Sequence, residues 1–175
     1  MMVRFLIPFV AVLLFLVEPE FAMFSPIELK GHIYYLVPRF LILYLIFISI
    51  YYSRQRAVMY GLFFGVLYDV FYIDIIGLYS VLYPLICFLA GLIVKVIHQH
   101  LIVTTSISLI LVAVLEFVLY QFFYLINFTS IPLIDFLQSR LLPTMIANML
   151  FLMILGWAFK YLINTRVLQR AREVS

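Results

Sequence analysis

The sequence predicts an all-α membrane protein, built as a six-helix transmembrane bundle. Of its 175 residues, 67% are hydrophobic and only 11% are charged, against roughly 25% charged residues in an average soluble protein. A soluble fold of this size would expose apolar patches far larger than soluble monomers tolerate. The apolar runs are continuous, whereas a transmembrane β-barrel would alternate apolar and polar residues. We therefore expect residues 1–175 to form a single polytopic domain with lipid as its main solvent.

Six stretches of the chain are long and apolar enough to be helical spans, because crossing the hydrocarbon core takes ~20 apolar residues. The loops between them are too short to hold a soluble domain. The predicted spans cover about residues 5–24, 34–52, 57–75, 77–97, 101–126 and 142–163.

The first span begins like a signal peptide, with Arg4 ahead of an apolar stretch. No convincing small-residue cleavage site follows it, so we expect an uncleaved first helix. The triplet Glu18-Pro19-Glu20 interrupts the apolar run near its end. Because proline lacks a backbone N–H, Pro19 is expected to end or kink the helix at this point.

The second, third and fifth spans carry the most deeply placed charges, Arg39, Asp69 and Glu116. Charged groups inside a bilayer are costly and usually face the interior of a helix bundle. The second and third spans form a tight hairpin, which places Arg39 and Asp69 at a similar depth. We therefore predict a buried ion pair between them, with Glu116 as an alternative or third member. Tyrosine hydroxyls or backbone groups could instead satisfy each charge, or Arg39 could extend outward to the interface.

The third span has a small-residue face, because Gly61, Gly65 and Asp69 follow one another at intervals of four. Such residues share one side of a helix, and glycines let a second backbone approach closely. Two interpretations stay open. The face is either a packing seam within the bundle or a contact surface for another membrane protein.

The distribution of basic residues predicts that both termini lie in the cytoplasm, because cytoplasmic loops are enriched in lysine and arginine. An even number of spans agrees with this orientation. It places on the outer side Lys30, Arg39 and Arg140. It places on the inner side Arg4, Arg54, Arg56, Lys95, Lys160, Arg166, Arg170 and Arg172.

The residues needed for catalysis or for a cofactor are not arranged in any familiar pattern. Asp69 and Asp74 are five apart and would point about 140° away from each other on a helix, which rules out an aspartyl dyad. His98 and His100 lack further metal ligands nearby in the sequence, and Cys87 is the only cysteine. There is no glycine-rich phosphate loop, and a net charge of +3 is too small for nucleic-acid binding. We expect neither an enzyme nor a bound metal or cofactor.

The segment from Gly61 to Gly91 resembles the rod shape-determining protein MreD family. That family is small, has about six spans, and shows a G-x-x-x-G-x-x-x-D stretch followed by a glycine that opens the next helix. An aromatic and a small residue tend to follow within that helix. The matching positions in this sequence are Gly61, Gly65, Asp69, Gly77, Tyr83 and Gly91.

This resemblance implies a non-catalytic role in the bacterial cell-elongation machinery, within the cytoplasmic membrane. The implied partners are an MreC-like protein, the actin-like MreB, the glycosyltransferase RodA and a class B penicillin-binding protein, in contact with membrane lipid. MreD proteins are also similar in architecture to the substrate-binding subunits of energy-coupling-factor vitamin transporters. That likeness supplies the alternative, a small-molecule binder in a transport complex with a polar pocket lined by Arg39, Glu116 and residues 18–30.

Overall fold

The computed structural model is helical throughout most of its length, and it describes residues 3–29, 31–94 and 100–174. Two single π-helical turns extend the helices, Asp69–Ile73 after α3 and Leu137–Leu141 between α6 and α7. A short antiparallel hairpin joins the first two helices. The elements are α1 (Val3–Ala22), β1 (Ile27–Leu29), β2 (His32–Tyr34), α2 (Phe40–Tyr51), α3 (Arg54–Tyr68), α4 (Leu78–Ile93), α5 (Leu101–Leu125), α6 (Leu133–Phe136) and α7 (Leu142–Val174).

Four helical segments are long and apolar enough to cross a bilayer: Phe5–Ala22, Arg54–Ile73, Leu101–Leu125 and Leu133–Thr165. The other two expected spans correspond to shorter apolar helices, α2 with 12 residues and α4 with 16. The all-helical class is therefore confirmed, whereas only four of the six predicted spans reach full length. Lys30, Lys95 and His98 lie outside the described residues.

The α2 helix is the centre of the molecule. Every residue from Phe40 to Tyr51 is buried, and the helix packs against α1, α3, α4, α5 and α7. A helix that is apolar on all sides is surrounded either by other protein elements or by lipid. Because its side chains are buried against these helices, protein and not lipid encloses most of α2. Its twelve residues rise only about 18 Å, which is less than the thickness of the hydrocarbon core.

The chain enters α2 through an extended segment, residues 35–39, so the predicted helix start at residue 34 is wrong. Pro38 explains the difference. A proline in a helix interior removes a backbone hydrogen bond, and it also biases the residue before it, Val37, toward extended backbone. Helical geometry therefore begins only at Phe40.

The end of the first helix differs from the prediction, and further helical turns precede the last one. The α1 helix contains both Pro8 and Pro19 and ends only at Ala22, so Pro19 does not end it. Inside a bundle, neighbouring groups can satisfy the backbone positions that a proline frees. The predicted start of the sixth span at residue 142 agrees with the start of α7 at Leu142, and α6 and the π-helical turn extend the apolar helical segment back to Leu133.

Candidate functional site

The Arg39 guanidinium lies at the start of α2 and is buried between α4 and α5. Its Nε donates to Glu116 Oε1 at 2.5 Å, and its Nη2 donates to the Tyr79 hydroxyl at 2.9 Å. The Glu116 side chain is fully buried. A buried charge is tolerated only when an opposite charge and hydrogen bonds compensate it. The residue named as the alternative partner from the sequence, Glu116, is thus the one that pairs with Arg39.

A second arginine approaches the same carboxylate from the π-helical turn before α7. Arg140 Nε lies 3.4 Å from Glu116 Oε2, and 39% of the Arg140 side chain is exposed. This contact is an ion pair but not a hydrogen bond, and neither Arg140 Nε nor Glu116 Oε2 has a hydrogen-bond partner among the described residues. Two arginines therefore share one carboxylate, and the three groups together carry a net charge of +1.

The Asp69 carboxylate is fully buried and binds the start of α4 instead of Arg39. Its Oδ1 accepts from the backbone N–H of Tyr79 at 2.7 Å. Its Oδ2 accepts from the N–H groups of Gly77 and Ser80 at 2.9 and 3.0 Å. The first N–H groups of a helix have no partner within the helix, and a carboxylate is favoured at this positive end of the helix dipole. The predicted Arg39–Asp69 ion pair is therefore wrong: Asp69 binds backbone N–H groups, and Arg39 pairs with Glu116.

The Gly61 and Gly65 face of α3 lies against the backbone of α4. A Cβ atom on Gly65 would come within 2.7 Å of Ser80 Cα, and one on Gly61 within 3.0 Å of the Tyr83 carbonyl carbon. The helices approach so closely that only glycine fits. The face shared by these glycines and Asp69 is a seam inside the protein, which places it away from any contact with a separate protein.

Of the other three residues that match the family pattern, Tyr83 and Gly91 are also interior, whereas Gly77 is exposed before the start of α4. Tyr83 is fully buried on α4, between the seam and the Arg39 cluster, and its ring contacts those of Tyr68 and Tyr79. Near the other end of α4, a Cβ on Gly91 would lie 2.8 Å from Ser49 Oγ. Glycine there allows α4 to pack on α2.

Polar side chains from other elements satisfy backbone groups of the extended segment before α2 and of the first turn of α2, a role that was not predicted from the sequence. Asn148 acts twice, since its Oδ1 accepts from Arg39 N–H and its Nδ2 donates to the Val37 carbonyl. Glu18 on α1 accepts from Leu41 N–H at 3.0 Å. In the sequence, isolated polar residues within apolar spans are the signal for such a role. The further bonds run from Leu36 N–H to Ser25 Oγ and from Val37 N–H to Thr144 Oγ1.

A cavity of about 530 Å³ opens beside the arginine cluster, between the ends of α3 and α5, the start of α4 and the helical turns before α7. A smaller cavity of about 250 Å³ shares part of its wall and reaches Glu18 and Arg39. Aromatic rings dominate the larger cavity, and Arg140 is its one charged lining residue. Its wall includes Tyr72, Tyr79, Tyr120, Phe123, Phe136 and Arg140.

The fold and its buried polar centre define a multi-pass helical membrane protein whose internal charges bind its own backbone and one another. Among the described residues, no group of histidine, cysteine, aspartate and glutamate side chains is placed to hold a metal ion.

The chain belongs to the MreD family. The family model described as rod shape-determining protein MreD matches residues 3–166. A relative from Bacillus subtilis (strain 168), named rod shape-determining protein MreD, is 34% identical over 159 residues, which cover 91% of this chain and 92% of the relative. No solved structure matches the chain. The protein is a rod shape-determining membrane protein of the bacterial cytoplasmic membrane.

Proposed function

We propose that the chain is a non-catalytic subunit of the cell-elongation (rod) complex, which holds an MreC-like protein and the peptidoglycan synthases together in the membrane. The family match across residues 3–166 is the observation that carries this proposal. MreB, RodA and a class B penicillin-binding protein would associate with it directly or through the MreC-like protein. We treat residues 1–175 as a single polytopic domain in this role.

The contacts made by the buried acidic side chains support a structural role for them. Glu18 caps α2, Asp69 caps α4, and Glu116 pairs with Arg39. Each carboxylate is thus engaged in holding elements together. A general acid or base would need a group free to exchange a proton with substrate.

The outward face of α3 supports assembly through lateral contacts. The glycines face α4, while the opposite side of the helix presents large apolar side chains. In a bilayer such a face contacts either lipid or the helix of another protein. The exposed residues on this side are Met59, Leu62, Phe63 and Val66 of α3, followed by Val70 in the π-helical turn.

We also propose six crossings of the membrane with both termini in the cytoplasm. The short helix α2 would cross together with the extended residues 35–39, because non-helical backbone is tolerated at membrane depth when protein surrounds it. Cysteine labelling from each side of intact cells tests this. We expect a cysteine at Asn127 to react from outside and one at Gln55 only after the membrane is made permeable.

Depletion in the host tests the function. Cells that lose the protein should become round and lose wall synthesis along their sides, and expression of the chain should restore rods. Cells that remain normal rods after full depletion would refute a role in elongation.

Purification in mild detergent tests the scaffold role separately. We expect an epitope-tagged chain to retain the MreC-like protein, and we expect an unrelated multi-pass protein carrying the same tag to retain none. If depleted cells became round but the tagged chain retained no MreC-like protein, the role in cell shape would stand and the proposed scaffold role would be rejected.

The energy-coupling-factor transporter subunit remains a second candidate because of one observation. The smaller cavity touches Glu18, Ala22 and Arg39, which belong to the pocket lining that this alternative predicts. Its volume of about 250 Å³ is below the roughly 300–1,000 Å³ typical of small-molecule sites, so the observation favours it only weakly. Vitamin retained through purification would support it.

A further inference from the structure

The larger cavity has the size and lining of a ligand site. Its volume of about 530 Å³ lies within the range of small-molecule and cofactor sites, which combine apolar walls with a few well-placed polar groups. Tyr120 and Phe136 stack with a centroid distance of 4.2 Å, and the Tyr120 hydroxyl is fixed by donation to the Ile131 carbonyl. The aromatic wall is therefore held in place before any ligand arrives.

The charge at the cavity is positive. Arg39 and Arg140 share the carboxylate of Glu116, and the other acid near Arg39, Glu18, lines the smaller cavity but not the larger one, where Arg140 is the one charged lining residue. Arg39 has the short contact at 2.5 Å and is buried, whereas Arg140 has the longer one at 3.4 Å and is 39% exposed. The less compensated charge is therefore that of Arg140, which faces the cavity.

Arg140 also has donors to spare. Its buried Nε lacks a hydrogen-bond partner, and the described residues accept no hydrogen bond from the rest of its guanidinium. A guanidinium offers five N–H donors in a planar fork that matches carboxylate and phosphate oxygens. A charge that is only partly compensated, by one ion pair at 3.4 Å, is costly this close to lipid, so a bound anion would stabilise the site.

We propose that this cavity binds a phosphate-bearing anion, with its phosphate on Arg140 and its apolar portion against the rings of Tyr120 and Phe136. A membrane phospholipid and a soluble organic phosphate both offer this chemistry. The lipid is the better match, because exposed aromatic side chains of the lining, such as Tyr72 and Phe128, continue the wall into the apolar surface of the bundle.

Lipid retention tests the proposal. The intact protein is incorporated into phosphatidylcholine vesicles with or without phosphatidylglycerol, extracted, and analysed by native mass spectrometry. We expect bound phosphatidylglycerol on the wild type and about tenfold less on Arg140→Gln, the loss expected for one charge-assisted contact. Thr129→Trp should lower binding by filling the cavity without changing a charge. Arg56→Gln, at the opposite end of α3, should bind as the wild type does.

Inorganic phosphate and glycerol phosphate form the second arm of the experiment. If either compound displaced phosphatidylglycerol from the wild type but had no effect on Arg140→Gln, the natural anion would be assigned to a soluble source. That result would still support the site. Equal retention of phosphatidylcholine and phosphatidylglycerol without such competition would overturn the proposal. So would full phosphatidylglycerol binding by a folded Arg140→Gln protein. Circular dichroism establishes folding, which Arg140→Gln should retain because the Arg39–Glu116 pair stays intact.

Discussion

At the scale of single residues, buried carboxylates complete the ends of helices. Asp69 accepts three backbone N–H groups at the start of α4, and Glu18 accepts one near the start of α2. In a bilayer no water is available to replace these bonds. The cost of removing such a side chain is therefore set by the N–H groups that it leaves without a partner.

Replacing Asp69 should destabilise the protein in proportion to the acceptors lost. We expect Asp69→Ala to lower the free energy of unfolding by about 2 kcal/mol and Asp69→Asn by less, because asparagine keeps one acceptor oxygen. Reversible unfolding in mild detergent measures both. Asp74→Asn is the matched control, since Asp74 is exposed and has a positive φ of 57° that asparagine tolerates. Equal stability of Asp69→Ala and the wild type would contradict the capping role.

The Arg39–Glu116 pair should show strong coupling in a double-mutant cycle. Arg39→Gln leaves the buried Glu116 with only its longer contact to Arg140, and Glu116→Gln leaves the buried Arg39 without its ion-pair partner. Losing one partner of a buried pair costs about 3–5 kcal/mol. The double variant should be more stable than the sum of the two losses predicts, by about 1–3 kcal/mol. Additive losses in detergent unfolding would show that the two side chains do not stabilise each other.

The sequence predicted three of the buried charges among the described residues, but it missed Glu18 and did not predict how the charges pair. Arg39, Asp69 and Glu116 were recognised because charges in apolar spans must face the interior. The partner of Asp69 was missed because it is the backbone of α4. Those N–H groups reach the carboxylate only through the turn at Asp74 and Gly77, where φ is 57° and 112°, and residue depth along a helix does not reveal such a turn.

At the scale of elements, the α3–α4 pair is the tightest contact in the fold, and Gly65 is its narrowest point. Gly65→Ala should lower the free energy of unfolding by about 1–3 kcal/mol, because the added methyl group would overpack against the α4 backbone. Gly156→Ala is the control, since its Cβ would lie an ordinary 3.7 Å from Phe47. The close packing would be disproved if both variants unfolded at the same temperature.

The extended segment before α2 depends on α7 for its hydrogen bonds. Asn148→Leu keeps the approximate volume but removes one donor and one acceptor from the backbone of Val37 and Arg39. We expect a loss of about 2 kcal/mol, since unsatisfied buried groups cost about 1–3 kcal/mol. Asn164→Leu, on the less buried part of the same helix, should change stability little. Comparable unfolding curves for the two variants would exclude this role for Asn148.

Element type was predictable from hydropathy, whereas element length was not. Long apolar runs identify helices because only helices satisfy their own backbone in lipid. The same argument assigned residues 34–39 to a helix, although they form strand and extended backbone. Their backbone is satisfied by Ser25, Thr144 and Asn148, which lie far away in sequence, and hydropathy carries no information about such partners.

At the scale of the whole molecule, the buried polar groups hold together a bundle whose outer surface is apolar. The short central helix α2 is enclosed by longer neighbours, and its entry segment is tied to α1 and α7. Such a protein is suited to present fixed surfaces to other membrane helices. Membership of the MreD family connects this architecture to cell shape.

Rescue of depleted cells by the Arg39→Gln/Glu116→Gln double variant tests most directly whether the polar centre acts through structure and not chemistry. The account predicts rod-shaped cells when the double variant is present in the membrane at the wild-type level and retains the MreC-like protein. Round cells under those same matched conditions would contradict it, because the fold and the partner would then be intact while the loss of two charges alone abolished function.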